Sequence, residues 1–290
     1  MIKKIGIAIG LLCGFVLALF YFKVLWVLAP HYEVTNPVKL AVPIMDMEAY
    51  KEIWDTHRRP YIYTIHSPEY QGSVCIVGVD HTKDSANPQL DSLLYYWEVF
   101  NPEVALVEGR VGNLITWFQD PVKELGEGGM VTQLANKKGI DLYSWEPTRE
   151  DEIASLIKKY SSEEVAMFYT FRPYFGNMRY GEYSDPESAL QGYLESRTDY
   201  PEIQGVFTSW EELDRKWKED FPGIEWRNYG AGKGYPDGYL DEIWNHVNIF
   251  RDEHMISAIV ELVKEGQKVF VTMGASHAPR IEKSLKVVLE

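Results

Sequence analysis

The stretch Ser73-Val-Cys-Ile-Val-Gly-Val-Asp-His81 begins as an unbroken apolar run and ends in two ionisable side chains. Three further segments show the same layout, an apolar run that stops at a glycine or a polar residue: Val104–Val107, Ile140–Ser144 and Lys268–Met273. Continuous apolarity, instead of the alternation of a half-exposed strand, indicates strands that are buried on both faces. We therefore expect these segments to form a mostly parallel central sheet.

Helix-like segments separate the expected strands, at 88–100, 121–138, 149–160 and 238–265. The alternation of strand and helix predicts βαβ units, and hence an α/β fold whose sheet is flanked by helices. The segment 161–237 differs, because it is rich in aromatic residues and shows no clear strand pattern. We interpret it as a helical, aromatic-rich insertion in a single α/β domain that covers 61–290.

The N-terminal segment is basic at its start and then apolar, since Lys3 and Lys4 precede a run without a charge from Ile5 to Phe22. About 20 apolar residues cross a bilayer core as a helix. We therefore expect an N-terminal transmembrane helix in a membrane anchor at 1–30, followed by a connector at 31–60. The basic start predicts a single-pass membrane protein with its main domain outside the cytoplasm. A cleaved signal peptide is the alternative.

The charge balance and the cysteine content exclude two classes of function. The chain has 43 acidic against 29 basic residues, a formal net charge of −14. Such a surface repels phosphate backbones, so we expect no nucleic-acid partner. Two cysteines, Cys13 and Cys75, form neither a disulfide framework nor a zinc-binding spacing.

Two Gly-x-x-His elements mark the candidate site: Gly78-Val-Asp-His81 and Gly274-Ala-Ser-His277 each follow an expected strand. Glu108 directly follows another. Ligands of open parallel sheets bind beyond the carboxyl ends of the strands, where loops from different strands converge. We therefore predict that His81, Glu108 and His277 form the site. Glu108 is included because a buried glutamate needs a cation or a hydrogen-bond donor as partner.

Arg251 is the fourth candidate, because it continues an apolar helical stripe formed by Met255, Ile259 and Leu262. An arginine on a core-facing stripe keeps its charge and needs an anionic partner. Glu108 and a developing oxyanion are the candidate partners. The alternative is that the stripe leaves the core at Arg251 and the guanidinium meets solvent.

These elements, together with the string Arg251-Asp-Glu-His-Met255, resemble the TraB/TIKI group and the wider superfamily that joins it with erythromycin esterases and ChaN-like proteins. The resemblance covers residues 73–110 and 247–285. It implies a sheet-centred α/β fold with paired histidines and a glutamate at one end. His81 and His277 match the two family histidines, Glu108 the acid, and Arg251 the arginine.

The resemblance implies a hydrolase that cuts a peptide or a small-molecule ester. TIKI members depend on a divalent metal such as manganese or cobalt, and His81, Glu108 and His277 would be its ligands, with Arg251 stabilising the oxyanion. Erythromycin esterases imply the alternative of a metal-free, histidine-activated water. That branch has a glutamate just before its first histidine, where this chain has Val79-Asp80.

Two other functions stay open at this point. ChaN-like members bind haem iron, which implies a haem- or iron-binding module as an alternative to an enzyme. An interaction protein with a degenerate site is the third possibility.

Overall fold

The structure is a computed structural model that describes residues 2–21, 24–178, 181, 183–229 and 234–290. Its helices are α1 (Ile2–Tyr21), α2 (Met47–Ile53), α3 (Pro88–Phe100), α4 (Pro121–Lys138), α5 (Arg149–Leu156), α6 (Ser162–Asn177), α7 (Pro186–Arg197), α8 (Trp210–Asp220), α9 (Tyr239–Lys264) and α10 (His277–Leu289). Its strands are β1 (Leu25–Trp26), β2 (Tyr61–His66), β3 (Ser73–Val79), β4 (Val104–Val107), β5 (Leu114–Ile115), β6 (Asp141–Ser144) and β7 (Lys268–Gly274). The chain divides into two compact units, a first unit of Met1–Pro147 with Asp252–Glu290 and a second unit of Thr148–Arg251.

The first unit is built on a mixed, mostly parallel sheet in the order β2-β3-β7-β4-β6. Strands β3, β7, β4 and β6 are parallel, and only the edge strand β2 runs antiparallel, to β3. The α/β class with a mostly parallel sheet is therefore present as expected, and the four parallel strands coincide with the four predicted segments. The expected burial on both faces is wrong for β6, because this strand lies at an edge of the sheet and only its Ser144 is buried. The prediction omitted β2, in which exposed and buried residues alternate from Tyr63 to His66.

The two faces of the sheet pack against different helices. Val74 and Ile76 of β3 belong to a core that includes residues of α9 and α10. Cys75 and Val77 belong to a second core, with residues of α3 and α4. Side chains alternate between the faces of a strand, so a strand that is covered on both sides must be apolar throughout, as β3 is.

Local signals set the ends of the helices α3 and α4. The side chains of Asn87 and Asp120 accept hydrogen bonds from backbone N–H groups of the first turn, and a proline follows each of them. Asn101 and Gly139 end these helices in the left-handed conformation. Both helices therefore lie where the sequence predicts them.

The prediction of an N-terminal transmembrane helix is wrong. Among the described residues, no helix combines the length and the apolar character that crossing a membrane requires. The end of the predicted membrane anchor at 1–30 is not helical, because Leu25 and Trp26 form β1 and pair antiparallel with β5. Val24, Trp26 and Ala29 are buried in the first unit. These residues therefore pack in the fold instead of extending α1, and the predicted localisation as a single-pass membrane protein is wrong as well.

The second unit contains α5 to α8 and the beginning of α9, and no strand occurs among its described residues. Its core is aromatic: the ring of Phe171 contacts those of Phe175, Trp217 and Trp226 at centroid distances of 5.5, 4.7 and 5.8 Å. Such ring pairs add to the stabilisation from burial alone. The segment 161–237 lies within this unit. The domain boundaries given above stay predictions.

Candidate functional site

Three of the predicted site residues follow adjacent parallel strands and therefore lie at one edge of the sheet. Strand β7 lies between β3 and β4, and Val79 at the end of β3 is opposite Gly274 at the end of β7. His81 comes two residues after β3, Glu108 directly after β4, and His277 is the first residue of α10, just beyond β7. The sheet topology thus brings together side chains that are far apart in the sequence.

The carboxylate of Glu108 lies between the two imidazoles. Its Oε2 atom is 3.8 Å from His81 Nε2, and its Oε1 atom is 3.9 Å from His277 Nε2. The backbone N–H of Gly274 donates to Glu108 Oε2 at 2.7 Å. A Cβ atom on Gly274 would come within 3.0 Å of His81 Nε2 and 3.4 Å of Glu108 Oε2. Gly274 therefore leaves the space in which the carboxylate and the imidazole approach the strand.

A buried glutamate on α4 orients His81. The Nδ1 atom of His81 lies 2.6 Å from Glu127 Oε1, and the backbone N–H of Thr82 donates to Glu127 Oε2 at 3.4 Å. The preceding residue, Gly126, interrupts the helix at φ 66° and ψ −154°. A Cβ on Gly126 would lie 3.0 Å from the carbonyl oxygen of Thr82. Glycine adopts this backbone conformation readily, whereas other residues would be strained in it. The resulting turn places Glu127 next to His81.

His277 is held by a second carboxylate, in a setting with less solvent. Its Nδ1 atom lies 2.5 Å from Asp252 Oδ1, and the other oxygen, Oδ2, lies 2.9 Å from Arg280 Nη1. The ring of Trp145 packs edge-on against the imidazole, with centroids 5.3 Å apart. The side chain of His277 is 5% exposed, whereas that of His81 is 50% exposed. One imidazole therefore faces solvent and the other is buried.

The hydrogen bonds to Glu127 and Asp252 determine what the imidazoles present to Glu108. Where the carboxylate is ionised it only accepts hydrogen bonds, and the Nδ1 atom of the histidine is then the donor. In a neutral imidazole Nε2 is then an acceptor. Two acceptor nitrogens thus face the acceptor oxygens of Glu108, and such groups repel one another unless a proton donor or a cation lies between them. The arrangement attracts a water molecule, a substrate N–H or O–H group, or a metal ion.

Arg251, the fourth predicted residue, is the last residue of the second unit and is buried, with 7% of its surface exposed. The alternative in which its guanidinium meets solvent is therefore wrong. Burial raises the pKa of Glu152, but the positive charge of Arg251 acts with other neighbouring groups to lower it below its ordinary value. Its predicted role in stabilising an oxyanion stays a prediction.

The predicted metal ligands have the right atom types for a divalent ion, two imidazole nitrogens and a carboxylate. Both imidazoles also have Nδ1 bonded to a carboxylate, as metal-bound histidines usually do. In the part of the chain that the structure describes, however, no group of three or more His, Cys, Asp or Glu side chains is arranged to hold a metal ion. A metal held by His81, Glu108 and His277 stays a prediction.

Three residues of this cluster were not predicted from the sequence: Glu127, Asp252 and Arg280. Glu127 stands in the glycine-rich string Leu125-Gly-Glu-Gly-Gly129, which is unusual inside a predicted helix and was a usable signal. Asp252 belongs to the quoted Arg251–Met255 string, and Arg280 lies three residues after His277, on the same helical face. Nothing in the sequence pattern showed which imidazole each carboxylate would contact.

Comparisons with known proteins leave the family open. No protein-family model matches the chain, and neither a curated protein nor a solved structure gives a significant match to it. The resemblance to the TraB/TIKI group therefore rests on the motifs alone and stays a prediction. What the chain does has to be argued from its own site.

Proposed function

We propose that the protein is a hydrolase that cleaves a peptide or ester bond at the sheet edge where His81, Glu108 and His277 meet. One observation carries this proposal: each imidazole is bound through Nδ1 to a buried carboxylate and turns Nε2 toward Glu108, at 3.8 and 3.9 Å. An imidazole that a carboxylate holds in this tautomer is the general base of many hydrolases.

In the proposed reaction, a water molecule donates one O–H group to an imidazole Nε2 and the other to Glu108. Its oxygen is thereby turned toward the carbonyl carbon of the substrate. As the C–O bond forms, the proton passes to Nε2, and the carboxylate at Nδ1 stabilises the resulting imidazolium. The imidazolium then gives this proton to the leaving nitrogen or oxygen, while the C–N or C–O bond of the tetrahedral intermediate breaks.

The same side chains are the ones that would hold a divalent metal, through His81 Nε2, His277 Nε2 and a Glu108 oxygen. A bound metal would lower the pKa of its water and polarise the substrate carbonyl. Glu127 and Asp252 would contact the Nδ1 atoms of the two imidazoles with or without a metal.

The test is hydrolysis of a panel of peptides and aryl or alkyl esters by the full chain, with added manganese or cobalt and with a chelator. We expect turnover that Glu108→Gln and His277→Ala abolish. Glu103→Gln and His66→Ala are matched controls. Glu103 precedes β4 and His66 ends the antiparallel β2, so both lie at the amino-terminal ends of the parallel strands, away from the site. Full activity of Glu108→Gln would contradict the proposal.

Full activity of a metal-free preparation in chelator would contradict only the metal-assisted form of the reaction. A visible absorption spectrum of the purified protein tests the haem-binding alternative. A haem spectrum without turnover on any substrate would favour that alternative.

A further inference from the structure

A buried chain of three side chains runs from Arg280 through Asp252 to His277. We propose that Asp252 and Arg280 are positioning residues, which fix the proton of the His277 imidazole on Nδ1 and direct Nε2 toward Glu108. Neither residue touches the reacting atoms, and each acts through His277. The expected effect on catalysis rests on the proposed function, whereas the expected position of the proton on His277 does not.

The geometry of the chain supports this role. Asp252 is fully buried, and its two oxygens lie 2.5 Å from His277 Nδ1 and 2.9 Å from Arg280 Nη1. The Nε–H group of Arg280 donates to the carbonyl oxygen of Met45 at 2.8 Å, which fixes the guanidinium from its other side. The carboxylate therefore has a cation beside one oxygen and the imidazole beside the other.

The energetics make a purely structural role a poor explanation. Arg280 is 1% exposed, and its Nη1 and Nη2 atoms have no hydrogen-bond partner of good geometry among the described residues. The approach of Nη1 to Asp252 is thus a charge contact without an aligned hydrogen bond. A buried ion pair that is incompletely hydrogen-bonded recovers little of its desolvation cost, and apolar residues of similar volume would often stabilise the fold more. The charge is explained better by what it does to Asp252.

The other imidazole provides an internal comparison. Glu127 holds His81 at 2.6 Å, but no arginine or lysine forms an ion pair with Glu127 in the part of the chain that the structure describes. His81 is half exposed, so water can also orient it. The buried His277 has no such help, and its orientation depends on the Asp252–Arg280 pair.

The experiment is a long-range ¹H–¹⁵N spectrum of the full chain with ¹⁵N-labelled histidine, recorded at one pH at which the imidazoles are neutral. This spectrum reports which nitrogen of His277 carries the proton. In the wild type we expect at least about a tenfold excess of the Nδ1–H form, since hydrogen bonds to a charged group exceed neutral ones by this order. Asp252→Asn and Arg280→Met should each reduce the excess by about tenfold, and Arg280→Lys should restore part of it.

Ser284→Ala is the matched control, because Ser284 is also buried on α10 and bonds the carbonyl of Pro43. It should lower stability and leave the His277 signals unchanged. If turnover is found, Asp252→Asn should lower kcat about 10- to 100-fold with little change in KM. An unchanged His277 tautomer in folded Arg280→Met and Asp252→Asn would overturn the inference, whether or not the protein proves to be a hydrolase. If Asp252→Asn does not fold, Arg280→Lys against Arg280→Met decides the question.

Discussion

Each unit contains a buried carboxylate with charged neighbours, Asp252 in the first and Glu152 in the second, and the two differ in where their contacts lead. The Oε1 atom of Glu152 accepts three hydrogen bonds, from the Tyr169 hydroxyl at 2.6 Å, Arg149 Nη1 at 2.8 Å and Arg172 Nη1 at 3.3 Å. These donors come from α5 and α6, so the carboxylate ties the two helices together. All three hydrogen bonds hold the buried carboxylate within the second unit.

The contact of Asp252 with His277 does not end at the ring. It continues through the imidazole to Nε2, which faces Glu108 at 3.9 Å. The comparison therefore separates a structural cluster from the proposed catalytic one. The partners of Glu152 only donate hydrogen bonds to it, so this buried carboxylate acts within the fold. The imidazole bound to Asp252 has a second nitrogen, Nε2, whose direction changes with that of the ring.

The largest effect is expected for Glu108→Gln. Glutamine keeps an oxygen for the Gly274 N–H and adds an amide N–H toward the acceptor imidazoles, so the fold should tolerate it within about 1 kcal/mol. Hydrolysis should fall by at least about 10³-fold, or some 4 kcal/mol in the activation barrier. Paired measurements of kcat/KM and urea unfolding test both parts. A loss of activity that only follows a loss of folded protein would remove the distinction between the two clusters.

Sequence alone predicts part of the proposed catalytic site, because of where its residues lie along the chain. His81, Glu108 and His277 follow apolar runs, and parallel strands bring their carboxyl ends to one edge whatever the side chains do. Glu127 was not predicted, because the backbone turn at Gly126 decides its direction and a glutamate in a helical pattern normally faces solvent. The partners of Asp252 depend on how α9 and α10 pack, which no periodicity shows. The burial of Val24 and Trp26 escaped for a similar reason, since an apolar run does not reveal what it packs against.

The next effect is on the second unit. Burial would raise the pKa of Glu152, but Arg172, Arg149 and the Tyr169 hydroxyl outweigh burial, and the pKa is lowered from its ordinary value of 4.5. Glu152→Gln should therefore lower the free energy of unfolding by about 2 kcal/mol at pH 7, less than for a fully buried pair because both arginines are partly exposed.

The sign of the pH dependence follows from the lowered pKa. The stabilisation by ionised Glu152 is fully present above pH 4.5 and is lost as the pH falls through the lower folded-state pKa. Urea unfolding of wild type and Glu152→Gln should thus differ most at neutral pH and converge in acid. Glu163→Gln, at the exposed start of α6, is the control with little effect at any pH. A difference that grows in acid would show that Glu152 is not held ionised.

A smaller effect is expected from the backbone beneath His81. Gly126→Ala places a side chain at φ 66° and 3.0 Å from the Thr82 carbonyl, which should cost about 1–3 kcal/mol and shift Glu127. Gly139→Ala is the matched control, because Gly139 has φ 74° at the end of the same helix with open space around it. Both variants should be destabilised, but only Gly126→Ala should lose about tenfold in activity. Equal activity of the two variants would mean that Glu127 does not orient His81.

The last prediction concerns chemical labelling of the two cysteines, which reports on opening of the first unit alone. Burial raises the pKa of the Cys75 thiol from 9.0 to about 11, whereas Cys13 is exposed. Two pKa units reduce the thiolate fraction about 100-fold near neutral pH, and burial blocks access as well. Iodoacetamide should therefore label Cys13 quickly and Cys75 only when the first unit opens. The label reports on the first unit alone, because the second unit has no cysteine.

Gly126→Ala should accelerate labelling of Cys75, since the unit that contains both residues opens more often, and Gly139→Ala should do so to a similar extent. Peptide mapping by mass spectrometry separates the two thiols, and equal labelling rates for Cys13 and Cys75 in the folded wild type would contradict the buried position of β3 on which the site geometry depends.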